Sequence, residues 1–124
     1  TDQLTGLYNR RYLASHLSAM FDRAFWTGRQ LALLIVDLDH FKRINDTHGH
    51  DIGDKVIQEI AERIKNSVRG IDLACRYGGE EFLVAMPDTD QAFANIVAER
   101  LRNEIAHHKI PINGGRDDLS VTVS

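Results

Sequence analysis

Cysteine is almost missing from this chain: Cys75 is the only one in 124 residues. An internal disulfide framework is excluded, and a reducing, cytoplasmic setting is the simplest reading. Long apolar runs are missing as well. The longest, Leu31 to Val36, is far too short to cross a bilayer. No charged-then-apolar leader opens the chain, so direct membrane insertion is not expected. Neither charge is in marked excess. The net charge is −3, so nothing global draws the chain to nucleic acid, and any site for a polyanion must be local. Repeats, low-complexity tracts and internal linkers are absent. His40, His48, His50, His107 and His108 lack the acid-flanked pair at helical i,i+4 spacing that a transition-metal site would want.

What is present is an ordinary globular composition, 43% apolar and 27% charged, enough for one domain with a real core. Tyr12, Leu13, Leu17, Met20, Phe21 and Phe25 recur at helical spacing, and Gly28 closes that segment. Leu31 to Val36 reads as a strand buried on both faces and ends at Asp37. A polar loop, Asn45-Asp46-Thr47-His48-Gly49-His50, follows. Ile52, Val56, Ile57, Ile60, Ile64 and Val68 mark a second amphipathic helix. Strands are predicted over Leu73 to Arg76 and Phe82 to Met86, joined by a tight hairpin turn at Gly78-Gly79. Pro87-Asp88-Thr89 is a break with a candidate N-cap. A third helix carries Ala92, Phe93, Ile96, Val97, Leu101 and Ile105. Asn113-Gly114-Gly115 turns into a last strand, Val121 to Ser124. The order α-β-α-β-β-α-β predicts an α+β sandwich with a βαββαβ core, its mainly antiparallel sheet flanked by helices. Thr1 in place of Met, and a strand still under way at Ser124, suggest a single domain over 1–124 that lacks its C-terminal part.

Several polar groups have two readings. Asp37 and Asp39 could cap or turn the chain at a strand end. Alternatively, a divalent cation would relieve the repulsion and desolvation of carboxylates beside a core, and Mg²⁺ favours a few carboxylates plus phosphate oxygens. Glu80 and Glu81 could be exposed turn acids, or could complete that metal site while the bare backbone of Gly78 and Gly79 lets a nucleotide approach. Asp54 could be a first-turn acid favouring the helix dipole. Arg69 and Gly70 could terminate the second helix.

The motifs resolve these alternatives. Arg76-Tyr77-Gly78-Gly79-Glu80-Glu81-Phe82 resembles the signature loop of the GGDEF family, with Glu at its variable third position. Asp37-Leu38-Asp39-His40-Phe41-Lys42-Arg43-Ile44-Asn45-Asp46 with Gly49-His50-Asp51-Ile52-Gly53-Asp54 is similar to the family's second motif, and Thr1 to Arg11 to its N-terminal one. The likeness is to the output domains of response regulators, and it covers nearly the whole chain.

The resemblance implies a palm-like diguanylate cyclase condensing two GTP into cyclic di-GMP with release of pyrophosphate. It implies Mg²⁺, two ions per site with Mn²⁺ as a substitute, held by Asp37, the Leu38 carbonyl and Glu80. Glu80 or Glu81 would help deprotonate the 3′-hydroxyl. Phe41 and Lys42 would cradle the triphosphate, with Gly78 and Gly79 giving close backbone approach. Asn45 and Asp54 would read guanine, whose N1–H and N2–H suit a carboxylate and have no counterpart on adenine. Arg69 and Asp72 would form the family's RxxD inhibitory site for the product, Arg being suited to bidentate phosphate or guanine contact. Arg100 and Arg23 would contribute across a dimer. Catalysis would need a homodimer, activated by an upstream sensor or receiver domain. The piece alone is expected to bind GTP weakly and turn it over slowly or not at all. A non-catalytic cyclic di-GMP receptor is the rival reading, and the intact acidic loop argues against it. A polymerase-like or adenylyl cyclase palm shares the metal logic but not Asn45, Asp54 or the Gly-Gly loop.

Overall fold

The computed structural model describes residues 1–115 and 117–124. The first helix, α1, runs Arg10–Thr27; the side chain of Asn9 accepts from the Tyr12 N–H at its start, and Gly28 ends it at φ 68°. β1 is Leu31–Asp37, α2 is Phe41–His48 and α3 is His50–Ser67. β2, Leu73–Arg76, and β3, Glu81–Pro87, precede α4, Gln91–His107. A small hairpin, β4 (Ile110–Ile112) and β5 (Asp117–Leu119), follows.

The main sheet has the order β1-β3-β2, antiparallel throughout. The chain end adds a further extended segment on the other side of β1. Asp37 and Ser124 exchange both backbone hydrogen bonds at 2.9 Å, and the Asp39 N–H donates to the Thr122 carbonyl at 3.0 Å. That places the expected last strand beside the first, and the α+β sandwich with a flanked antiparallel sheet is the architecture observed.

Strand alternation divides the core. Phe82, Val84 and Met86 of β3, with Val36 and Ala74, pack with Val56, Ile57, Ile60 and Ile64 of α3 and Val97, Leu101 and Ile105 of α4. Leu83 and Ala85 turn the other way and join Leu73, Cys75 and Leu13 under α1. Each fully buried aliphatic side chain stabilises the sandwich by about 1.5–3 kcal/mol. The sheet thus lies between α1 on one face and α3 with α4 on the other.

Five local expectations need correction. β1 is not buried on both faces: Leu33 and Ile35 are 43% and 63% exposed, because the core beneath α1 is drawn from β2 and β3 and includes no side chain of β1. The expected loop after it is mostly helical. α2 fills Phe41–His48, and Gly49 at φ 88° breaks it from α3. Gly70 is not a left-handed cap; α3 ends at Ser67, with Val68 extended. The N-cap of α4 is Asp90, which accepts from the Phe93 N–H at 2.8 Å, and Thr89 is buried instead. Finally, Gly78 and Gly79 do not have positive φ. The β2–β3 connection is a four-residue loop closed by Tyr77 and Gly78 N–H groups on the Glu81 carbonyl, at 2.9 and 3.1 Å. No helix among the described residues is long and apolar enough to cross a membrane.

Candidate functional site

The sheet register builds the acidic centre. Asp37 is paired with Glu81 across β1 and β3, and the Leu38 N–H donates to the Glu80 carbonyl at 3.2 Å. Asp37, Leu38, Glu80 and Glu81 therefore meet at one end of the sheet, although 43 positions separate Asp37 from Glu80. The charges are felt: burial, then the carboxylates of Asp37 and Glu81, push the Glu80 carboxyl above its ordinary range. Asp39 is directed elsewhere. It accepts from the hydroxyls of Thr122 at 2.8 Å and Ser124 at 2.6 Å, and these bonds, the Ser124 one foremost, lower its pKa.

The donors are hard oxygens. Leu38 is buried, and no backbone donor among the described residues takes its carbonyl. No three His, Cys, Asp or Glu side chains among the described residues gather tightly enough to enclose a metal. A cation here would draw its remaining ligands from substrate phosphate and water, which is how Mg²⁺ is usually held.

The Gly-Gly loop hangs between these acids and a brace. Arg76 donates through Nη2 to the Gly79 carbonyl at 2.8 Å and pairs through Nη1 with Asp2 at 3.3 Å. Asp2 also accepts from the Thr5 N–H and hydroxyl at 2.9 and 2.7 Å. The Arg10 guanidinium lies 4.4 Å from the Tyr77 ring centroid. Sequence reasoning had assigned no work to Asp2, Thr5, Arg10 or Arg76; the sole signal was their membership of the opening motif and of the signature loop. A Cβ at Gly79 would meet nothing within 4 Å. That glycine therefore faces open space and is not required by crowding.

Phe41 and Lys42 occupy the first turn of α2, whose leading N–H groups lack helical partners and suit phosphate oxygens. Phe41 packs against the core, and Lys42 is exposed. Asn45 lies in the last turn of α2, and Asp54, exposed, lies early in α3. The Asn45 Oδ1 is buried with no hydrogen-bond partner among the described residues.

Arg69 and Asp72 form a closed pair on the loop after α3. Arg69 Nη2 donates to Asp72 Oδ1 at 2.9 Å and Nε to Oδ2 at 3.2 Å; the Arg69 backbone N–H also reaches Oδ2, at 2.8 Å. Nη2 further contacts the Pro87 carbonyl and the Thr89 hydroxyl, at 3.1 and 2.5 Å. The Asp72 side chain is 2% exposed and that of Arg69 39%, so the arginine is the presented half. Arg23 and Asp72 line one groove of about 920 Å³ with Tyr12, His16 and Ile71. The structure thus brings Arg23 to the Asp72 groove within one chain. Arg100 is exposed on α4, without a contact to Arg69 or Asp72 among the described residues.

The family model for "Diguanylate cyclase, GGDEF domain" matches residues 1–124. The chain belongs to the GGDEF family. It is 52% identical over 124 residues to the response regulator PleD of Caulobacter vibrioides, covering 100% of this chain and 27% of PleD. It is 43% identical to diguanylate cyclase DgcP of Pseudomonas aeruginosa, covering 100% of this chain and 18% of that protein. The GGDEF domain of DgcB from Caulobacter crescentus, solved in complex with c-di-GMP, superposes with a TM-score of 0.95 at 34% identity, over 100% of this chain and 71% of that one. The chain therefore spans only about a quarter of the PleD length. The GGDEF signature is the loop that Arg76 braces, and the family's second motif is the β1–α2–α3 segment.

Proposed function

We propose that this GGDEF domain is the catalytic unit of a diguanylate cyclase, joining two GTP into cyclic di-GMP with release of pyrophosphate. The observation that carries the reading is the convergence of Asp37, Leu38, Glu80 and Glu81 at a sheet end from which α2 departs. A cation bound there would offset the carboxylate repulsion that, after burial, raises the Glu80 carboxyl. Asp37, Leu38 and Glu80 would hold Mg²⁺, two ions per site, with Mn²⁺ able to replace it. Bound there, Mg²⁺ would neutralise phosphate charge and favour ionisation of the attacking hydroxyl.

The chain's own residues supply the rest. The first-turn N–H groups of α2 and Lys42 bind and orient the triphosphate, and Phe41 anchors that turn to the core. Gly78 and Gly79 admit the nucleotide to the backbone, while Arg76 fixes their path. Asn45 and Asp54 hold the guanine. Glu80 or Glu81 takes the 3′-hydroxyl proton. Each domain carries one GTP, so two domains must face each other. In-line attack then forms the new phosphodiester and expels pyrophosphate. Cyclic di-GMP binds back at Arg69 and Asp72, with Arg23 in the adjoining groove and Arg100 as a further contact, and slows turnover. An upstream regulatory domain would control the pairing in the cytoplasm.

The test is direct. Full-length protein with GTP and Mg²⁺ should yield cyclic di-GMP and pyrophosphate. Protein that binds cyclic di-GMP at Arg69 but makes none from GTP would instead be a receptor.

A further inference from the structure

Gly53 is buried within α3, and a helix interior disfavours glycine. Its φ is not positive, so no backbone strain calls for it. What calls for it is space. A Cβ there would lie 1.8 Å from Asn45 Oδ1, 3.0 Å from Asn45 Cγ and 3.4 Å from Phe41 Cζ. The amide of Asn45 occupies the volume a side chain at 53 would fill. That amide has its oxygen buried without a partner among the described residues, a costly arrangement that packing alone does not explain.

We infer that Gly53 is a specificity-determining position: its missing side chain is the seat that holds the Asn45 amide beside Asp54, at the edge of the base. The inference rests on the reading of Asn45 and Asp54 as the guanine-binding pair. The seat belongs to two helices. Asn45 closes α2, its carbonyl accepting from the Gly49 N–H at 2.8 Å, and Gly53 bonds back to the Gly49 carbonyl at 3.1 Å. The glycine hinge at 49 therefore docks the last turn of α2 against Gly53 of α3. Filling the seat turns Asn45 out of register with Asp54 and leaves the acids and the phosphate-binding turn in place.

The experiment compares Gly53→Ala, Asn45→Ala and the double variant in full-length protein. It uses calorimetric binding of a non-hydrolysable GTP analogue and its ATP counterpart, with thermal melts of each variant. Gly53→Ala should weaken GTP-analogue binding by roughly five- to tenfold, the loss of about one hydrogen bond, and by the same factor as Asn45→Ala. ATP-analogue binding should not fall in step, and the double variant should bind no worse than either single one. Wild-type GTP selectivity in a folded Gly53→Ala protein, with Asn45→Ala impaired, would overturn the inference alone. Wild-type binding by Asn45→Ala would overturn the guanine assignment beneath it. If Gly53→Ala fails to fold, the double variant, which has no amide to collide with, must recover the fold; failure to do so would overturn the seat.

Discussion

Arg76 holds the Gly79 carbonyl with one nitrogen and Asp2 with the other, linking the chain's first residues to the signature loop. The Asp2 side chain is only 22% exposed and that of Arg76 19%, so the pair is shielded. Asp2→Ala should cost about 1–3 kcal/mol of stability through the hydrogen bonds it removes. It should also lower turnover more than GTP affinity, because the loop loses its brace. Burial alone would raise the Asp2 carboxyl, but the bonds from Thr5 and the pairing with Arg76 outweigh it and hold the carboxyl below its usual range. The stabilisation is then present above the ordinary aspartate value of about 3.9 and is lost as pH falls through the lowered one. Melts of wild type and Asp2→Asn from pH 7 to pH 2 should converge at the acid end. Parallel curves would deny the ion pair its role.

Glu80 is the reverse case. Its carboxyl is raised by burial and by Asp37 and Glu81, so its ionised form works against the fold. Metal-free Glu80→Gln should melt above wild type at neutral pH. The gap should open as pH rises through the raised value and close below the ordinary glutamate value of about 4.3. Mg²⁺ should raise the melting temperature of wild type and leave that of Glu80→Gln unmoved. An equal Mg²⁺ response in both proteins would remove Glu80 from the metal set.

Thr89 governs how Arg69 is presented. Its hydroxyl accepts from Arg69 Nη2 and donates to the Pro87 carbonyl at 2.9 Å. Replacing it with Val should weaken cyclic di-GMP inhibition by about threefold or more, the loss of one hydrogen bond. Thr89→Ser should restore it, and uninhibited turnover should stay at the wild-type level. Inhibition constants equal across all three proteins would show that Arg69 needs no such support.

Base choice depends on Asp54. Asp54→Ser removes the acceptor for the guanine N1–H and N2–H, and the GTP-over-ATP preference should fall by about tenfold or more. Competition between the two nucleotides measures it, and an unchanged ratio would move base recognition elsewhere.

The sandwich was legible in the sequence because its long helices and hydrophobic strands carry clear periods. Ile57, Ile60 and Ile64 mark α3 as plainly as Val84 and Met86 mark β3. α2 was not legible: eight residues leave Phe41 and Ile44 as its only apolar contacts, too few to show a helical period. The exposure of Ile35 was hidden because an apolar run records which residues could be covered, not where α1 comes to rest. At the site, the resemblance to the family set Asp37 beside Glu80 before the register did. The brace from Asp2 to Gly79 stayed invisible because it joins residues 77 positions apart through a single arginine. Gly53 was quoted within a motif, but only the position of Asn45 gives it a task.

The central claim is that the acids at the end of β1 and β3 make this domain a cyclase. The most direct measurement is cyclic di-GMP formed from GTP and Mg²⁺ by full-length protein, set beside Asp37→Ala and Glu80→Ala variants checked for an intact fold. The account predicts product from wild type and none above background from either variant. Product formed at the wild-type rate by either variant would contradict it.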